Sequence, residues 1–201
     1  MFCCSADPLS RGAEPNRLLT FVRPVTQSTL PEVVAQAVSA LSLVLLVASG
    51  VSKVIDPDPT KGALAAARLP SSRFAARGLG LFEGIAAVVG LAVGGRWLAF
   101  AALLYMGFSA FTLVAVSRRL PIQSCGCFGR EDTPPTVLHV IFNGFAATAL
   151  WYLVAVNGLA APWSGSSTDL ALFLVFAVLG AYLAYLLLSQ LPRTLHMTSS
   201  Q

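Results

Sequence analysis

Two cysteines separated by a single glycine are the residues of this chain best suited to chemistry. They lie in the run Ser124-Cys125-Gly126-Cys127-Phe128-Gly129-Arg130. A disulfide between them needs Cα atoms about 4.4–6.8 Å apart, so the backbone must turn sharply. Gly126 and Gly129 permit the unusual φ values of such a turn. Because strained or exposed disulfides are the ones most readily reduced, the pattern favours thiol–disulfide exchange at Cys125 and Cys127.

Basic residues near the cysteines strengthen this interpretation. Nearby cations favour the thiolate, the reactive form of a cysteine, and the ones here are Arg118, Arg119 and Arg130. The same thiolates could instead bind Cu(I), Zn(II) or mercury, with His139 or the N-terminal Cys3 and Cys4 completing the shell. A lone C-x-C is a weak zinc pattern, because structural zinc sites use four ligands. We predict a redox pair and no cofactor, with a metal site at Cys125 and Cys127, or idle cysteines, as the alternatives.

Further polar residues stand in or beside apolar stretches. Glu83 lies about a turn and a half into one of them, where a carboxylate costs several kcal/mol unless it is paired or protonated. It could snorkel or pair structurally with Lys53, or it could carry protons or contact a substrate. His139 and Asn143 are four residues apart, hence on one helical face. They could hydrogen-bond across helices, or His139 could transfer protons to the thiols.

The composition defines the environment of these residues. Hydrophobic residues make up 56% of the 201 residues and charged residues 11%, against about 25% charged in soluble domains. So few charges cannot cover a surface that faces water, so most of this surface faces lipid. The net charge of +4 comes from cations in short connectors, which is typical of membrane topology signals and not of nucleic-acid binding.

Five apolar segments have the length of membrane-spanning helices, which is about 20 residues. A backbone in lipid must satisfy its own hydrogen bonds, so these segments are predicted to be helices. They are Val33–Val51, Gly78–Gly95, Trp97–Ser117, Thr136–Gly158 and Leu170–Leu191. The predicted fold is an all-α integral membrane protein, an up-and-down four-helix transmembrane bundle plus a fifth transmembrane helix.

The predicted organisation has four parts. A polar tail (1–31) precedes the four-helix domain (32–160), which is followed by a connector with the fifth helix (161–191) and a short polar tail (192–201). Alternating helices place connector one (52–77) and connector three (118–135) on the same side of the membrane. Lys53, Asp56, Glu83, His139 and Asn143 are then expected on the side that carries the cysteine loop.

The distribution of Lys and Arg residues bears on which side of the membrane carries the cysteine loop. Nine of the 13 Lys and Arg residues fall on the side of the cysteine loop and four on the other. The excess of positive charge normally marks the cytoplasm, whereas disulfides persist outside it. The charge count therefore places the cysteine loop in the cytoplasm, whereas a disulfide would place it outside. Arginines that serve to activate the thiols would bias the count of positive charges.

The polar residues also resemble a known family pattern, the MauE branch of the DoxX-like membrane proteins. The resemblance spans roughly residues 33–160. It is carried by Ser49-Gly50-x-x-Lys53-x-x-Asp56-Pro57, Glu83-Gly84, Cys125-Gly126-Cys127-Phe128-Gly129 and Asn143. The family often has a basic residue directly before this asparagine, where this chain has Phe142.

The resemblance implies a role. MauE proteins are implicated in maturing methylamine dehydrogenase, whose small subunit is rich in disulfides, so it implies help with disulfide formation in partner proteins. A soluble or thioredoxin-like redox partner and a multi-pass location in a bacterial inner membrane are expected. A non-catalytic anchor for a soluble redox enzyme is a further alternative.

Overall fold

The computed structural model describes residues 30–120, 122, 135–156, 175–184 and 186, and every regular element in this part of the chain is helical. A 3-10 turn, Gly95–Trp97, precedes the fourth helix. The α-helices are α1 (Leu30–Ile55), α2 (Asp58–Ala66), α3 (Arg73–Val93), α4 (Leu98–Ser117), α5 (Val137–Ala155) and α6 (Val175–Ala184).

Four of these helices are long and apolar enough to cross a membrane: α1, α3, α4 together with its 3-10 turn, and α5. Their outward faces carry exposed apolar side chains such as Leu81, Ile85 and Leu113, which suits contact with lipid. The all-helical fold and its four spanning helices confirm that part of the sequence prediction.

The fifth spanning helix stays a prediction. Within Leu170–Leu191 the described helix α6 has ten residues, fewer than the roughly 20 that a span requires. Ala177 and Ala181 are its buried residues, and Gly180 faces Leu41 of α1. The rest of that segment, apart from Leu186, lies outside the described residues, as do nearly all of the predicted tails.

Helix boundaries differ from the apolar segments in informative ways. Helix α1 includes Leu30 and Pro31, which belong to the predicted tail, and Leu30 is the first residue that the structure describes. Helix α3 begins at Arg73, since the Ser72 side chain caps it by accepting a hydrogen bond from the Ala75 N–H at 3.0 Å. Glu83 therefore lies ten residues into the 21-residue helix α3, at its middle, and deeper than the apolar segment indicated.

The connection between α3 and α4 is as short as predicted. Gly94 and Gly95 both have positive φ values, 65° and 54°, which glycine adopts without steric cost. The chain reverses within four residues and the two helices pack side by side.

The main core lies between the four long helices. It is built from alanines and leucines whose side chains are fully or almost fully buried, with Tyr105 among them. Alanines let the helices approach closely, and leucines fill the remaining space. At its centre are Leu43, Leu46, Leu98, Leu150 and Leu153.

A second, smaller core closes one end of the bundle. It joins Ala63 of α2, Ala115 near the end of α4 and Ile122 in connector three. Connector one and the beginning of connector three therefore lie at the same end, as the alternation of helices predicts. The helix α2 that makes this contact has nine residues of mixed polarity and was not predicted.

Candidate functional site

The closest approach between α1 and α3 is made by glycines. A Cβ atom placed on Gly50 would lie 2.5 Å from the Gly80 carbonyl oxygen and 2.8 Å from the Gly84 nitrogen. Real Cβ atoms do not come this close to backbone, so both Gly50 and Gly80 must lack a side chain. This contact is the packing for which the Gly80-xxx-Gly84 spacing is suited.

The contact brings a buried ion pair together. Lys53 follows Gly50 by three residues and Glu83 follows Gly80 by three, so each charged residue lies about one turn beyond its glycine. The Lys53 Nζ donates to Glu83 Oε2 at 2.9 Å, and the two side chains are 3% and 0% exposed. The pairing of Glu83 with Lys53 was one of the alternatives that the sequence left open.

Ser49 completes the pair. Its hydroxyl donates to Glu83 Oε2 at 2.9 Å, and the ammonium of Lys53 donates in turn to the Ser49 oxygen. Ser49 and Lys53 are four residues apart and share one face of α1. A helical side chain points back towards the N-terminus, which is why the lysine reaches down to the level of Ser49.

The fourth helix closes the site over the lysine. The Lys53 Nζ lies 5.6 Å from the centroid of the Phe108 ring, within the range of a cation–π interaction. The lysine thus has a carboxylate, a hydroxyl and an aromatic face around it. A charge buried in this way is stable only because it is paired, since an isolated charge in a bundle interior is costly.

Other polar atoms in the interior have no bond. Glu83 Oε1 and the hydroxyls of Ser39 and Ser42 are buried and have no hydrogen-bond partner among the described residues. Only one oxygen of the carboxylate is therefore committed to the ion pair. Its other oxygen is available to accept a proton or a hydrogen bond.

His139 and Asn143 are both buried on the inner face of α5. The His139 Nδ1 lies 2.9 Å from the Thr136 hydroxyl and 3.4 Å from its backbone N–H. An accepting Nδ1 leaves the proton of a neutral ring on Nε2. Asn143 makes no side-chain hydrogen bond within the described part of the chain. Neither residue bonds to the ion pair.

The remaining predicted site residues divide into two groups. Asp56 is exposed and accepts a hydrogen bond at 3.2 Å from the N–H of Asp58, the first residue of α2, and it does not join the buried pair. The residues of the loop, Cys125, Gly126, Cys127, Phe128 and Gly129, lie outside the described residues, as do Cys3 and Cys4. Among those described, no group of three His, Cys, Asp or Glu side chains is placed to hold a metal ion.

Two features were not predicted as parts of a site. Ser49 could have been found from its spacing of four residues from Lys53. Phe108 could not, because it comes from another helix and nothing in its local sequence distinguishes it. Phe142 occupies the position at which the family often has a basic residue. Its ring packs edge-on against that of Tyr105, with 6.4 Å between the ring centroids. It therefore belongs to the core.

The fold and the site define a helical membrane protein with a buried ion pair between its first and third helices. The chain matches the family model described as "Methylamine utilisation protein MauE" over residues 31–156, more than half of its length. It therefore belongs to the MauE family, as the residue pattern indicated. No curated protein and no solved structure gives a match.

Proposed function

We propose that this protein serves methylamine utilisation as a membrane thiol–disulfide exchange factor, with Cys125 and Cys127 as the redox pair. The family supports the process, and the cysteine pair supports the chemistry. The partner is a soluble, thioredoxin-like protein or a disulfide-containing protein under maturation. We place the chain in a bacterial inner membrane.

One observation carries the proposal: the beginning of connector three packs against the end of the bundle nearest Lys53, whose ammonium forms the buried ion pair. Ile122 contacts the small core with Ala63 and Ala115. Ala115 lies seven residues beyond Phe108, which is about 10 Å along α4, and Phe108 covers Lys53. Cys125 follows Ile122 by three residues, a length of chain that spans at most about 11 Å.

The exchange needs two partner proteins, one that gives electrons to the cysteine pair and one that takes them from it. A dithiol on one partner transfers two electrons and two protons to the Cys125–Cys127 disulfide, becoming a disulfide itself. The reduced pair then passes them to a second disulfide-bearing protein, which restores the starting state. Each step proceeds by attack of a thiolate on a disulfide sulfur.

Proton handling is the role we assign to nearby polar groups. His139 lies in the first turn of α5, where connector three ends, and its Nε2 is not used by the bond to Thr136. Glu83 has one unbonded carboxylate oxygen. We assign Lys53 to holding Glu83 in place, while Asn143 and Asp56 have structural roles.

Thiol labelling tests the proposal. In a Cys3→Ser/Cys4→Ser background only the loop thiols remain, and a membrane-impermeant maleimide of high mass shows each labelled thiol as a shift on a gel. We expect no label after oxidation and two labels after reduction, and the side of addition reports the compartment. The Cys125→Ser variant is the matched control, since its single thiol should be labelled in both states.

Two thiols that remain open to labelling in a functional protein under oxidising conditions would contradict the redox pair. The same background supplies a second readout, because Cys127→Ser should trap a mixed disulfide between Cys125 and the partner. If neither cysteine is needed for maturation of the partner, the protein is an anchor and not an exchange factor.

A further inference from the structure

The end of the bundle that carries α2 is strongly basic on its outside. Its exposed charged residues in the described part of the chain are six cations, Lys61, Arg68, Arg73, Arg77, Arg118 and Arg119, and two carboxylates, Asp56 and Asp58. Among the described residues, the charged ones at the opposite end are the exposed Arg96 and the half-buried Glu32. The undescribed loop adds Arg130, Glu131 and Asp132 by sequence, which leaves the excess of positive charge in place.

An exposed ion pair fixes two of the elements at this end. Arg73 of α3 donates two hydrogen bonds to the Asp58 carboxylate of α2, each 3.1 Å long. A paired guanidinium and carboxylate in this forked geometry hold a defined orientation. The first turn of α2 therefore lies beside the first turn of α3.

Two further cations flank this pair. Lys61 follows Asp58 by three residues on α2, and Arg77 follows Arg73 by four on α3, spacings that lie on one face of a helix. Both are exposed, and neither has a carboxylate partner among the described residues. The N-terminal halves of the two helices thus add two cations without a carboxylate partner to the Asp58–Arg73 pair.

The position of Arg77 relates this charge to the lipid. On the same side of α3 it has Phe74 three residues before it and Leu81 four residues after it, and these side chains are 87% and 55% exposed. Leu81 lies on the outward apolar face of a spanning helix, so Arg77 stands where that apolar face meets the charged end. The phosphates of phospholipids lie at this boundary.

We propose that Lys61 and Arg77, on either side of the Asp58–Arg73 pair, form a binding site for the phosphate headgroup of an anionic phospholipid. Leu81, one turn further into the membrane on the same side of α3, contacts the acyl chains of the same lipid. The charge selects an anionic headgroup, because each basic side chain near the membrane surface adds to its attraction. The apolar flank selects a lipid over a soluble anion.

Native mass spectrometry of the purified full-length chain tests the site. The protein in detergent is titrated with phosphatidylglycerol or with phosphatidylcholine. We expect tighter binding of phosphatidylglycerol, and a fall of roughly tenfold or more in that affinity for Lys61→Gln/Arg77→Gln. Binding of phosphatidylcholine should be unchanged. The single variants each remove one exposed cation and should each lower the affinity.

The matched control removes the same charge at the same end. Arg118→Gln/Arg119→Gln should keep the affinity for phosphatidylglycerol. Equal losses in the two double variants would mean diffuse attraction and would overturn the site, as would equal affinity of the native protein for the two lipids. Displacement of phosphatidylglycerol by millimolar inorganic phosphate would reveal a soluble-anion site and would also overturn the proposal.

Discussion

Gly80 of α3 lies directly against Gly50 of α1, so that a methyl group on Gly80 would be 2.7 Å from the Gly50 carbonyl oxygen and 2.8 Å from the Cβ of Lys53. The stem of the lysine thus passes over the bare backbone of the facing helix. Because α1 and α3 run in opposite directions, Lys53 starts level with Gly80, and its side chain reaches back along α1 to meet Glu83. The absence of side chains at two positions places the ion pair.

The two glycines of the Gly80-xxx-Gly84 motif should respond differently to alanine. Gly80→Ala should destabilise the protein by about 1–3 kcal/mol, the usual cost of overpacking. Gly84→Ala should be neutral or stabilise by up to about 1 kcal/mol, because a Cβ atom there has nothing within 4 Å. Thermal unfolding in detergent compares the two variants. Equal destabilisation by both would contradict the contact described here.

Lys53 and Glu83 should be energetically coupled. Lys53→Met or Glu83→Gln leaves one buried group without its partner, so each single change should cost about 3 kcal/mol. The double variant leaves no unpaired charge and should cost clearly less than the sum. Unfolding of the four proteins in detergent gives the coupling.

The exposed Asp58–Arg73 pair is the control for this cycle. Its side chains are 55% and 64% exposed, and exposed pairs contribute about 1 kcal/mol or less. Asp58→Asn and Arg73→Gln should therefore be nearly additive. A coupling between Lys53 and Glu83 no larger than that of the exposed pair would show that burial does not strengthen it.

Tyr105 should stabilise the packing of α4 against α1. Its hydroxyl donates to the Ser42 carbonyl oxygen at 2.7 Å, and the ring is buried. Tyr105→Phe removes the donor and keeps the ring, so we expect a loss of about 1 kcal/mol or more in unfolding free energy. Tyr152→Phe is the matched control, since Tyr152 is exposed on α5. If both variants unfold at the native temperature, the bond contributes nothing.

Much of this architecture follows from the sequence alone. Four uncharged or nearly uncharged stretches of about 20 residues can only be helices in lipid, because no water is present there to bond the backbone. The pairing of Lys53 with Glu83 was also foreseeable, since Lys53 lies just after one apolar segment, Glu83 lies within the next, and a carboxylate there needs a partner. Membership of the family was evident from short sequence motifs, which can be recognised without a structure.

The tertiary structure decided what depends on neighbours from other helices. Helix α3 begins at Arg73 because Ser72 caps it. Both residues precede the apolar segment, so hydropathy alone did not predict this start. Helix α2 packs on the small core with Ala115 and Ile122, and its nine-residue sequence of mixed polarity does not predict that contact. The commitment of one Glu83 oxygen to Lys53 and Ser49 rests on Gly50 facing Gly80. The amino-acid sequence shows that Gly50 and Gly80 are present, but it does not show how close they are to each other.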